Sequence, residues 1–320
     1  MKLRSALLAS IFMAFISAHA HAASDFVLPD DMTGHTVLYV GAHPDDEWGV
    51  APILADACVD RGARCHFLVA SEANSGGCLF TIGLKDFKEC SRIRREEMEK
   101  SAALFGGQVE FLGLDDLFYS FNSAGRDRTI WEWAKQSGGR EELVSRFERV
   151  LRKQRPSMLF TFDPRHASSC HAGNLSVASL ILEAVARLSE SERPAVWLEQ
   201  TDDLEERGDG NQSVIDSLGY VGWPDTAGQT HWYDANKLLK DGRPAYDYAL
   251  LVRRTHASQF PDEASGKKVS SALKSKRKVP LALLPQTISH DYCTALQLRR
   301  PTMDIPVNRA KLKKFLESAD

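Results

Sequence analysis

The chain lacks several signatures that would settle its chemistry at once. No Cys-x-x-Cys pair occurs in its 320 residues, which argues against a zinc ribbon or a thioredoxin-like redox centre. No Gly-x-Gly-x-x-Gly follows the first strand-like run, so a dinucleotide-binding oxidoreductase would be missing its phosphate loop. No Gly-x-Ser-x-Gly elbow is present, which removes the usual serine hydrolase. Charge of one sign is not in excess either: Lys and Arg number 40, Asp and Glu 43, for a net −3. That balance gives no footprint for nucleic acid. Beyond residue 18 no apolar run reaches the roughly 20 residues of a membrane span.

What is present begins with a leader. Lys2 and Arg4 precede an uncharged apolar run from Ala6 to Ala18, and Ala18-His19-Ala20 and Ala20-His21-Ala22 both offer a small-x-small cleavage pattern. Residues 1–22 read as a secretory signal peptide, removed to give a secreted or periplasmic protein without a membrane span. The leader carries two cations and no anion, so the mature charge falls to about −5. Six cysteines remain, at 58, 65, 78, 90, 170 and 293. An even count outside the cytoplasm points to disulfides, and Cys78 with Cys90, which bracket one loop, is the first expected pair.

The rest has ordinary globular composition, 43% hydrophobic and 26% charged. Thr36–Gly41 reads as a buried strand, Trp48–Asp60 as a helix stopped at Gly62, and Cys65–Ala70 as a second strand. The alternation continues with a helix over Ser91–Phe105 ended by Gly106-Gly107, a strand over Val109–Leu112 and a helix over Glu141–Lys153. A strand over Met158–Phe162, a helix over Asn174–Leu188 and a strand over Ala195–Glu199 follow. This order predicts a single α/β domain: a doubly wound, mostly parallel sheet with helices on both faces. After Gln200 the pattern is less regular. Thr201–Thr230 reads as loops, Trp232–Lys240 and Asp247–Phe260 as helical, and Ser265–Lys278 as a polar, mobile loop. Its lysines and Arg277 are either a solvated surface or a contact for an anionic glycan.

The chemistry concentrates in Ala42-His43-Pro44-Asp45-Asp46-Glu47, directly after the first strand. Ligands of parallel α/β sheets bind at the carboxyl ends of strands. Three carboxylates crowded there are costly without a cation. An imidazole and one carboxylate suit zinc, and a second carboxylate is left to act on a water held by the metal.

These six residues match the signature of the PIG-L/LmbE-like deacetylase family, and the chain resembles that family from about Thr36 to Phe260. Arg94-Arg95-Glu96-Glu97-Met98 is similar to its Arg-x-x-Glu helix. Leu112-Gly113-Leu114-Asp115-Asp116, Phe162-Asp163-Pro164-Arg165 and His256-Ala257-Ser258-Gln259 are similar to later segments. The resemblance divides the chain into a signal peptide (1–22), a lead-in (23–35), the deacetylase domain (36–260) and a C-terminal extension (261–320) packed on or flanking it. It implies that His43 and Asp46 ligate zinc or another divalent metal. Asp45 is then the general base, and Arg94 and Asp116 hold an N-acetylated sugar or glycan. The reaction implied is removal of an N-acetyl group from a GlcNAc-type sugar.

One position departs from the family pattern. Where the family has His-x-x-His, this chain has His171-Ala172-Gly173-Asn174. His171 falls at the assisting catalytic position and Asn174 at the third ligand. A neutral amide oxygen is a poor zinc ligand. His166, His171 or Cys170 can stand in as the third ligand, and Glu47 and His256 are further alternative ligands or supports. The competing reading is a degraded family member that kept the fold for sugar binding.

Overall fold

The computed structural model describes residues 24–74, 78, 82–84, 86–117, 123–164, 171–199, 230–266 and 278–283. The leader, Cys170, His166, Cys293 and the basic run 267–277 lie outside the described residues.

Among the described residues, eight strands form one sheet. They are β1 (Ser24–Asp25), β2 (Thr36–Gly41), β3 (Arg64–Ser71), β4 (Gln108–Leu114), β5 (Met158–Phe162), β6 (Ala195–Glu199), β7 (Thr230–Asp234) and β8 (Lys278–Leu283). Their order is β1-β7-β8-β6-β5-β2-β3-β4. The five strands from β6 to β4 are mutually parallel, while β8 runs antiparallel to both β6 and β7. The expected doubly wound α/β sheet is therefore present.

β2 lies fully buried along its length because it is covered on both faces, as a central parallel strand is. Val37 and Tyr39 point into one core, with Phe67, Met98, Phe105 and Val252. Leu38 and Val40 alternate into the other, with Leu68, Trp133, Phe147 and Ile181. The helices divide accordingly. On the first face are α1 (Ala51–Leu54), running into a π-helical turn to Asp60, then α2 (Phe87–Leu104) and α6 (Asp247–Thr255). On the second are α3 (Ser123–Ser137), α4 (Arg140–Gln154) and α5 (Ala172–Arg187). Asp86 caps α2 by accepting from the amides of Lys88 and Glu89. Gly106 turns the chain out of α2 at φ +63°, a conformation that suits glycine.

Two cysteine pairs close local loops. Cys78–Cys90, the expected one, ties the segment before α2 to its first turn, and Cys58–Cys65 ties the π turn to β3.

Three features correct or extend the sequence reading. Trp232–Lys240 is not helical: it enters as β7 and continues into a turn. The aromatic pair Trp232-Tyr233 serves a strand, with Tyr233 edge-on to Phe26, and Phe26 is in turn edge-on to Trp197. The helix α3 was not anticipated. Its buried Ile130 and Trp133 are the apolar signal, diluted by charged neighbours. Within the stretch read as a C-terminal extension, Lys278–Leu283 sits inside the sheet between β6 and β7. The lead-in likewise buries Phe26, Leu28 and Met32 in the first core.

Phe147 on α4 is fully buried in the second core. Phe147→Ala is expected to cost about 3–5 kcal/mol, from lost burial plus the cavity left behind. Denaturant unfolding of the two proteins measures it.

Candidate active site

The strand order reverses at β2, which has β3 on one side and β5 on the other. The crevice beyond the carboxyl ends of these strands is where a doubly wound sheet binds its ligands. The loop after β2, the loop after β4 and the first turn of α5 all end there.

The turn after β2 is built around Asp46. Its Oδ2 accepts the amides of Ala42 and His43, each at 2.8 Å, and its Oδ1 accepts Nδ2 of Asn174 at 3.1 Å. Burial alone would raise its pKa. The charge of His43 and the donated N–H groups outweigh it and hold Asp46 below the usual carboxylate range. His43 sits between two acids, with Nδ1 at 3.4 Å from Asp46 and Nε2 at 3.3 Å from Asp116. Burial opposes a charged ring there, but Asp116 and Asp46 prevail and push it up to about 10.

Asp45 has φ +108°, unusual for a residue with a side chain. Arg94, from α2, holds it: Nη2 donates to the Pro44 carbonyl at 2.7 Å and to Asp45 Oδ1 at 3.0 Å. Burial raises the Asp45 carboxyl to about 6, against the pull of Arg94 and with the push of Asp46. Asp116 lies 3.8 Å from Arg94 Nη1. Arg94 and Asp116 are thus buried beside the loop and engaged with Asp45 and His43.

His171, just before α5, stacks edge-on against His43 with ring centroids 4.7 Å apart. Burial and the neighbouring His43 push it down to about 4, so it is neutral at ordinary pH. The Oδ1 atom of Asn174 is buried and accepts no hydrogen bond of normal geometry. Glu47 points away from this centre, to His256 and Ser101. Nine of the eleven residues singled out from the sequence therefore fall within one network, and His166 and Cys170 lie outside the described residues. Ser101 was missed. It lies seven residues after Arg94 on the same face of α2, and that spacing is the signal that could have found it.

Residues 38–185 match the sequence profile of PIG-L, described as GlcNAc-PI de-N-acetylase. The PIG-L resemblance read from the motifs is thus matched by a family profile over residues 38–185. That span carries the first loop, Arg94, Asp116, His171 and Asn174. Solved structures agree in fold. An N,N′-diacetylchitobiose deacetylase from Pyrococcus horikoshii is 18% identical, with TM-score 0.50, over 78% of this chain and 84% of that one. The A40926 pseudoaglycone deacetylase is 13% identical, with TM-score 0.52, over 79% and 98%. A deacetylase from teicoplanin biosynthesis is 12% identical, with TM-score 0.50, over 78% and 97%. At such identities the likeness is one of fold. A comparison with curated proteins found no match.

The motif resemblance implies a divalent metal held by His43 and Asp46, and the donors here can be tested against that. His43 supplies an imidazole, Asp46 a carboxylate, and Asn174 a buried oxygen without a donor of normal geometry. Among the described residues no three His, Cys, Asp or Glu side chains converge as a metal cluster. The donor chemistry fits a divalent cation whose third protein ligand is a neutral oxygen, a set closer to hard-cation sites than to zinc's preferred imidazole and thiolate.

Gly173 passes directly under His43, and a Cβ there would meet the ring at 2.8 Å. Gly173→Ala is expected to displace His43 and cost about 1–3 kcal/mol by overpacking. Chemical denaturation gives the stability, and the His43 ring resonances give the displacement.

Proposed function

We propose that the chain is an exported hydrolase that removes the N-acetyl group from a GlcNAc-type sugar or glycoconjugate, with a divalent metal, zinc or another, as cofactor. One observation carries the reading: Asp45, clamped by Arg94, stands beside the His43–Asp46 pair at the point where the strand order reverses. A base next to two metal-type ligands is the arrangement that amide hydrolysis needs. The family description and the names of two relatives, a diacetylchitobiose deacetylase and a pseudoaglycone deacetylase, support the substrate class. The signal-like leader and two disulfides support a location outside the cytoplasm. Among the described residues no helix is long and apolar enough to cross a membrane.

In this reading His43, Asp46 and Asn174 hold the cation, which when bound polarises the amide carbonyl. Asp45 takes a proton from the attacking water. Arg94 fixes Asp45 Oδ1, so the carboxylate does not need to search for its position. His171, neutral, donates a ring N–H toward the charge growing on the carbonyl oxygen. The proton held by Asp45 passes to the leaving nitrogen, the C–N bond breaks, and acetate and a free amine result. The basic run 267–277 is assigned no role.

A second reading rests on Asn174. Its amide N–H already bonds Asp46, and its oxygen replaces the imidazole expected there. On that reading the fold binds acetylated sugars without turnover.

Acetate release from a panel of GlcNAc-containing glycans, with metal content measured on the same protein, separates the two. Release that is lost in Asp45→Asn supports the deacetylase. Binding without release, with zinc or manganese supplied, supports the binding protein.

Asp45 must be ionised to act as base, and it titrates near 6. The rate is expected to climb as pH rises through about 6 and to level off above it. A kcat/KM that is flat from pH 5 to 7 would remove Asp45 as base.

Asn174→His is expected to raise zinc affinity by about tenfold or more, as imidazole replaces an amide oxygen. Chelator competition measures it. An unchanged affinity would mean that residue 174 does not face the cation.

A further inference from the structure

Below the reacting groups lies a second buried network. Glu47 is completely buried, yet it is ionisable and its carboxylate is fully engaged. Oε1 accepts Ser101 Oγ from α2 and lies 2.6 Å from His256 Nε2, at the end of α6. Oε2 accepts the backbone N–H of Asp45 at 3.2 Å. His256 is itself fully buried. Burial works against charge on both members, but each holds the other ionised: Glu47 stays below its ordinary range and His256 above.

The segment bearing His256 is pinned to the same helix. Glu97 of α2 accepts the amide of Ser258 at 2.8 Å and its hydroxyl at 2.6 Å. Arg94, Glu97 and Ser101 follow at spacings of three and four, so they share one face of α2. That face holds the loop after β2 at three points. Arg94 takes the Pro44 carbonyl and the Asp45 side chain, Ser101 takes Glu47, and Glu97 fixes the segment whose His256 takes Glu47 from the far side.

The purpose of so many bonds is visible in Asp45. Its φ of +108° is a sparsely populated conformation for a side-chain-bearing residue, and such conformations persist only where the surroundings over-determine them. The N–H of that strained residue is the group that Glu47 holds.

We propose that His256 is a positioning residue for Asp45, acting through Glu47: the buried pair keeps the Asp45 backbone in its left-handed conformation and so aims the carboxylate. The proposal rests on Asp45 being the base. His256 touches neither substrate nor cation in this scheme.

The test uses the full chain and two readouts. In His256→Ala, kcat for acetate release is expected to fall about 10–100-fold, the range typical when a supporting hydrogen bond is removed from a site, with KM within about threefold of wild type. Hydrogen exchange should quicken at the Asp45 amide while β2 and α2 keep their protection. Added imidazole, able to refill the cavity, should restore part of kcat. An Asp45 amide that exchanges as slowly as in wild type, or a kcat that is unchanged, overturns the proposal, as does general loss of protection with no local excess. Should His256→Ala fail to fold, Ser101→Ala carries the same test, since it removes the other donor to the same Glu47 oxygen: faster exchange at Asp45 supports the clamp, and unchanged exchange overturns it. The exchange arm does not depend on turnover. A wild-type protein inactive on every acetylated sugar would defeat the deacetylase reading and leave that arm to judge the positioning of Asp45.

Discussion

Two peptide N–H groups aimed at one carboxylate oxygen organise the candidate site. The amides of Ala42 and His43 both donate to Asp46, which folds the chain back on itself immediately after β2. That bend places His43 between Asp46 and Asp116 and leaves Asp45 facing Arg94. It also turns Glu47 in the opposite direction, into the protein. The four polar residues between 43 and 47, with Pro44 among them stiffening the turn, thus serve two environments. His43, Asp45 and Asp46 face the crevice, while Glu47 faces a dry interior where only paired charge is tolerated.

The electrostatics follow from crowding. Acids at 45, 46, 47 and 116 meet cations or potential cations at Arg94, His43 and His256. Each pairing is specific, and the carboxyl groups are pushed in opposite directions. Asp46 and Glu47, richly hydrogen-bonded, are held ionised. Asp45, less well compensated for its burial, is raised to about 6. Separation of this kind between neighbouring carboxyl groups gives one of them the basicity for proton transfer and leaves the other to hold charge.

Much of this was legible in the residues. β2, β5 and β6 begin and end where hydrophobic pattern placed them, because strands buried on both faces must be continuous apolar runs with sharp polar ends. His43, Asp45 and Asp46 were legible because their order after a buried strand has few other uses. β7 was misread because Trp232 and Tyr233 fit a helix or a strand equally well in isolation, and only pairing with β8 decides. The role of Ser101 was invisible for a similar reason. A serine inside a helix gives no sign of its partner until the loop 54 residues earlier folds onto it. His256 carried a family pattern but no physical argument, which the buried contact with Glu47 now supplies.

The placement of β8 has a consequence for how the chain comes to be made. Among the described residues β1 pairs only with β7, β7 pairs with β1 and β8, and β8 alone joins them to β6. The five parallel strands are all complete by residue 199, well before β8 is synthesised. A nascent chain at that stage would lack the described strand that pairs with the outer edge of β6, an edge whose backbone groups can recruit another strand. Ribosomal synthesis must run some eighty residues further before this protein can seal its own sheet, and until then its first described strand has no sheet to join.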